Sequence, residues 1–189
     1  MTKEYSPERL DVKAFVQAGA RLTGHDSLLK YERLAQEAQG LHPDLYVNWQ
    51  AAGELRAAAA DGQGEGEGAE LWLHLNVEAT LPMLCQRCLT PVDVPLQVER
   101  SFRFVADEAT AEALDDEAEE DLLAISREFD LHGLIEDELL MALPVVPSHE
   151  ECPVPVVMAS SDEDFDAAST EKPNPFAALA GLAPHKSDK

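Results

Sequence analysis

The sequence predicts an α+β domain: an antiparallel β meander with one helix near the N-terminus and another after the last strand, followed by a disordered acidic C-terminal tail. Three observations predict it. The segments AELWLHLNVEAT (69–80) and PVDVPLQVERSFRFV (91–105) alternate apolar and polar residues with a period of two, the pattern of half-buried strands. The segment DLHGLIEDELLMALP (130–144) spaces its apolar residues three and four apart behind a capping aspartate. Beyond Pro155 bulky apolar residues become scarce while Ser, Asp and Glu accumulate, a composition that buries too little surface to offset chain ordering. The domain is therefore expected over residues 1–155 and the tail over 156–189.

In chain order, LDVKAFV (10–16) reads as a short extended segment through the alternation of Leu10, Val12, Ala14 and Val16. A helix is expected next, capped by Asp26 or Ser27, striped by Leu28, Leu29, Tyr31, Leu34 and Ala35, and stopped at Gly40. From Asp44 the period becomes two: Leu45, Val47 and Trp49 share one face of a strand, and Leu55, Ala57 and Ala59 continue the parity in a second stretch. The glycine-rich DGQGEGEG (61–68) is a flexible hairpin connection. Leu71, Leu73, Leu75, Val77 and Ala79 then form one face of the next strand, and Val92, Val94, Leu96, Val98, Phe102 and Phe104 the matching face of its antiparallel partner. Arg100 falls on that apolar parity and requires an edge position or a carboxylate; Pro95 implies a stretch without a neighbour on one side.

Residues 107–121 carry no basic side chain and read as a loop or frayed helix. LLAISREF (122–129) returns as a short strand, and Asp130 caps the second helix, which buries Leu131, Leu134, Ile135, Leu139 and Ala142 and ends at Pro144 and Pro147. Glu136, Asp137 and Glu138 face partly outward, with Glu138 near enough to the apolar stripe to need a partner. In the tail, KPNPFAALAGL (172–182) stands apart: Pro175 begins a short helix that aligns Phe176 and Leu179, fit either to dock on a partner or to fold back on the domain.

The formal net charge of -23 and pI near 4.4 repel nucleic-acid phosphates and make a basic protein or peptide the more natural partner. No stretch approaches the roughly 20 apolar residues of a membrane span, and the start, MTKEYSPERL, lacks the apolar run of a secretory signal, so a cytoplasmic protein without a membrane partner is expected. Three cysteines in such a chain are expected as reduced thiols. No convergent acid and base pair marks an enzyme, and GEGEG lacks the lysine and following helix of a phosphate cradle; neither catalysis nor a small-molecule substrate is expected.

Cys85 and Cys88, with two residues between them, lie between two strands. A redox pair normally opens a helix, whose terminal amides stabilise the thiolate; LTPV follows here instead. A turn does aim two sulfurs to one side, and His149 and Cys152 repeat the spacing just after the terminated helix, so the four together describe a closed, structural Cys₃His zinc site clipping helix end to hairpin tip. The competing reading is that Cys85 is a small buried apolar residue and the other three are incidental. No cofactor is expected, zinc at these residues excepted. Arg87, Arg100 and Arg103 cluster along one hairpin in sequence and furnish the alternative of direct RNA contact, on a tip that zinc would support.

Three stretches taken together, LCQRCLTPV, EFDLHGLIEDELLMALPVVPSHEEC and EKPNPFAALAGL, resemble in order and wording the YceD family of bacterial large-subunit ribosomal RNA accumulation proteins, from about Asp44 onward. The resemblance implies a non-enzymatic role in the synthesis, processing or stability of that RNA. With the charge, it implies a basic ribosomal protein or assembly factor as partner and indirect contact with ribosomal RNA. Some relatives carry a fuller cysteine set after the segment matching MALPVVP, consistent with a zinc site completed by Cys85 and Cys88. This chain departs from them in keeping only Cys152, with His149 beside it.

Overall fold

A computed structural model describes residues 5–57 and 69–155. The chain divides into the units Met1–Cys152 and Pro153–Lys189, and every helix and strand described belongs to the first. The expected turn at 61–68 and the tail motif with Pro175, Phe176 and Leu179 lie outside the described residues.

The elements run α1 (Val12–Gln17), β1 (Arg21–Ser27), a 3₁₀ turn (Leu28–Lys30), α2 (Glu32–Glu37), β2 (Tyr46–Ala57), β3 (Ala69–Leu84), β4 (Pro91–Val105), α3 (Glu108–Leu114), β5 (Asp121–Ala124) and α4 (Leu131–Met141). The strands form one sheet in sequence order, β1-β2-β3-β4-β5, antiparallel from β1 to β4. Only β5 runs parallel to its neighbour β4. A parallel step needs a crossover of a dozen or more residues, and the acidic segment with α3 supplies it. Asp107 caps α3, its carboxylate accepting from the Thr110 amide at 2.8 Å.

The long hairpin follows the expected register. Leu71, Leu73, Leu75, Val77 and Ala79 pair across with Phe104, Phe102, Arg100, Val98 and Leu96. All are buried except Arg100. Arg100 forms ion pairs with Asp121 and, at 3.7 Å, with Glu138 of α4, the partners its inward parity demanded. Pro95 lies in the part of β4 that β5 does not reach, since β5 pairs only with Phe102–Val105. α4 buries Leu131, Ile135 and Leu139 behind the cap from Asp130 to the Gly133 amide.

The N-terminal region departs from expectation. LDVKAFV is not extended: Asp11 caps α1 through the Ala14 amide, and Val12, Phe15 and Val16 form a buried stripe at helical spacing. In so short a run the two periods share positions 12 and 16, and the cap with Phe15 decides between them. α1 lies so close to β2 that a Cβ on Gly53 would stand 2.8 Å from Val16 Cα. The expected single helix at 28–35 is split into the 3₁₀ turn and α2, while RLTGHDS before it forms β1. Asp26 therefore sits in a strand, where its carboxylate accepts from Trp49 Nε1 and Lys30; at Ser27 no side-chain cap bond forms. Over the described residues the two expected stretches are one strand, β2, whose inward face ends before the exposed Leu55, while Ala59 lies outside the described residues.

Glu136 is the other correction. Instead of facing partly outward it is buried, as is Glu138, and it accepts from the Arg33 and Leu34 amides at 2.8 and 3.2 Å and from Arg33 Nε at 2.8 Å. A side chain of α4 thus caps α2, whose own preceding residue, Tyr31, makes no side-chain cap bond.

Candidate metal centre

The β3–β4 hairpin closes through a tight loop. The Cys85 amide donates to Thr90 O and the Leu89 amide to Cys85 O, both at 2.9 Å. Leu89 takes φ 56, the left-handed conformation that lets the chain double back after Cys88. The segment after α4 reaches this tip: the Gln86 amide donates to Pro147 O at 2.9 Å, which brings His149 and Cys152 beside the two hairpin thiols.

The four donor atoms of Cys85, Cys88, His149 and Cys152 all lie within 4.8 Å of one another. A tetrahedral zinc with thiolates at about 2.3 Å and imidazole at about 2.0–2.1 Å sets its ligands roughly 3.5–3.8 Å apart. Cys88 Sγ already stands 3.4 Å from His149 Nδ1. His149 Nε2 lies 3.0 Å from Pro91 O, and a carbonyl only accepts, so in the neutral ring Nε2 carries the proton and Nδ1 keeps its lone pair toward the sulfurs. The ring is thus held in the tautomer a metal requires.

The electrostatics fit the same use. Cys85 is fully buried, which by itself would raise its pKa, but the backbone amides of Cys88, His149 and Arg87 converge on the sulfur and bring it down to about 5. The Thr90 hydroxyl, 3.2 Å from Cys88 Sγ, draws the second thiol down against its burial. His149 is raised by Cys85 and then, against its burial, by Cys88, whose thiolates favour the imidazolium, so a metal would have to displace the Nδ1 proton to be bound there; Cys152 is raised by its own burial and then by Cys88 and Cys85. Negative charge gathers on the hairpin sulfurs, where a divalent cation would neutralise it. These four residues could hold a metal ion, and with every position filled by protein the site would be structural. Sequence reasoning missed the supporting groups, Thr90 and the carbonyls of Pro91 and Pro147; of these only the hydroxyl two residues after Cys88 was visible as a signal.

The three arginines are not gathered into one patch. Arg87 is exposed at the tip. Arg100 and Arg103 lie far along β4 on opposite faces, the former held by Asp121 and Glu138, the latter by Glu70 at 3.2 Å and Glu120 at 2.5 Å. Among the described residues no helix is long and apolar enough to cross a membrane.

Residues 73–183 match the family described as Large ribosomal RNA subunit accumulation protein YceD. A protein of that name from Haemophilus influenzae is 37% identical, the match covering 72% of this chain and 86% of the relative. No solved structure matches the chain.

Proposed function

The chain belongs to the YceD family, and from that membership we propose that it is a non-enzymatic ribosome biogenesis factor of the cytoplasm, needed for large-subunit ribosomal RNA to accumulate and acting by binding a basic ribosomal protein or assembly factor. The observation that carries the reading is the similarity over 86% of a relative whose name states that role. The partner's chemistry follows from charge. At -23 the chain attracts cationic proteins over a Debye length, speeds their encounter and releases them when RNA competes for the same lysines and arginines. Direct RNA binding is less supported, because carboxylates already engage Arg100 and Arg103.

Zinc at Cys85, Cys88, His149 and Cys152 joins the segment after α4 to the hairpin tip, and its contribution is to folding.

Depletion of the chain from cells, with the ratio of large- to small-subunit ribosomal RNA as readout, tests the role; an unchanged ratio refutes it. Capture of bound proteins with and without nuclease tests the mode. Basic proteins retained after nuclease support the proposal, whereas their complete loss makes RNA the direct partner.

A further inference from the structure

The helices α1, α2 and α4 share one buried core with the inward face of the sheet. On the other face Trp72 of β3 is buried beneath Arg56, but toward the opposite end of the strands the outward Tyr46, Asn48, Glu78 and Gln97 are open. A hollow of about 460 Å³ opens there, within the range of about 300–1,000 Å³ typical of concave binding sites. Its floor follows the cross-strand row His25, Asn48, Glu78 and Gln97, one residue from each of β1 to β4. At one wall the rings of His25 and Tyr46 stack with centroids 4.2 Å apart, and His25 Nδ1 lies 2.6 Å from Asn48 Oδ1, which fixes the pair in place. Asp44 and Glu78 bring two carboxylates to the lining, and among the described residues no lysine or arginine lines it. Neither carboxylate has an ion pair among the described residues, whereas Lys30 is held by Asp26 and Arg100 by Asp121 and Glu138.

We propose that this hollow is where the basic partner docks, receiving an arginine side chain from an exposed segment of it. A guanidinium is planar, stacks on an aromatic face and donates five hydrogen bonds in a fixed fork. The hollow offers the complement: the Tyr46 and His25 pair to stack against, the carboxylates of Glu78 and Asp44 to take the fork, and the amide oxygens of Asn48 and Gln97 beside them. The base of a nucleotide would find the same ring and amides, but the adjoining phosphates would meet two carboxylates and, among the described residues of the lining, no lysine or arginine. The inference rests on the proposed binding of a basic partner and adds its place and the side chain read.

The test is titration of the full chain with a labelled hexa-arginine peptide, followed by anisotropy and by amide chemical shifts. The double variant Asp44→Asn with Glu78→Gln is compared with a control of equal charge change on the α3–β5 connection, Asp116→Asn with Glu117→Gln. Removing two charge-assisted contacts should weaken binding about tenfold or more, and Tyr46→Ala about two- to fivefold, while the control changes it less than about twofold. Shifts should centre on Tyr46, Asn48, Glu78 and Gln97, and hexalysine should bind more weakly than hexa-arginine. The thermal unfolding of each variant checks that it folds. Equal loss in the two double variants, equal affinity for hexalysine, binding seen only after removal of residues 156–189, or preference for a single-stranded RNA hexamer would each overturn the proposal. Those results with capture of basic proteins intact would remove the hollow and leave the basic-partner reading standing.

Discussion

Replacement of Glu136 by alanine is the sharpest test of how the helices are joined to each other. Its carboxylate, carried by α4, accepts from the amides of Arg33 and Leu34 in the first turn of α2 and from the Arg33 guanidinium. In Glu136→Ala the amides lose their cap, a change that costs about 0.5–2 kcal/mol at helix N-termini. The ion pair adds at most about 1 kcal/mol, because the Arg33 side chain is half exposed. The sum is about 0.5–3 kcal/mol at pH 7, and its middle, about 2 kcal/mol, corresponds to a fall in Tm of roughly 4–8 °C for a chain of this size. The pH dependence has a definite sign. Burial would raise the Glu136 pKa, but Arg33 and the Leu34 and Arg33 amides outweigh it and hold the carboxyl below its ordinary value. The contribution is therefore present above the unfolded-state pKa, near 4.3, and fades as pH falls through the lower folded value. Urea unfolding of wild type, Glu136→Ala and Glu136→Gln at pH 7 and in steps below pH 4.5 measures it, with Glu136→Gln intermediate because its amide oxygen still accepts. A loss under about 0.5 kcal/mol at pH 7, or one that does not shrink on acidification, would refute the tertiary cap.

Purified chain should carry one zinc, and cobalt substitution should give the visible absorption of tetrahedral thiolate coordination; Cys88→Ser should abolish both and lower Tm by about 5 °C or more, as loss of a structural metal does. Gly53→Ala should cost about 1–3 kcal/mol in urea unfolding, because the new methyl meets Val16 Cα at 2.8 Å and Phe15 Cδ1 at 3.1 Å and α1 must shift. Glu138→Gln should leave stability equal or higher at pH 7. Burial, against the pull of Arg100 and with the push of Asp121 and Asp137, raises the Glu138 pKa, so its charged form works against folding, and the gain should vanish once both states are protonated below about pH 4. Thermal unfolding across that range checks it.

The amino-acid sequence alone determined the long hairpin and the second helix with its Asp130 cap, and it singled out the four residues that the structure brings together as a candidate metal centre. Each is written in a short-range pattern: alternation fixes which side of a strand is buried, and the repeated spacing of Cys85 with Cys88 and His149 with Cys152 marks donors that come in pairs and could ligate together. Only the tertiary structure decided the rest. Val12 and Val16 satisfy either period, so α1 is helical because Asp11 caps it and Phe15 turns onto Gly53. Glu136 looks like a surface residue by its neighbours and becomes a cap only because α2 arrives from about a hundred positions away. The same holds for Arg100 and Arg103, close in sequence but on opposite faces, each bound to carboxylates from other elements. Periodicity reports what a residue does within its own strand or helix; which charges meet across the sheet is settled only when distant segments are packed together.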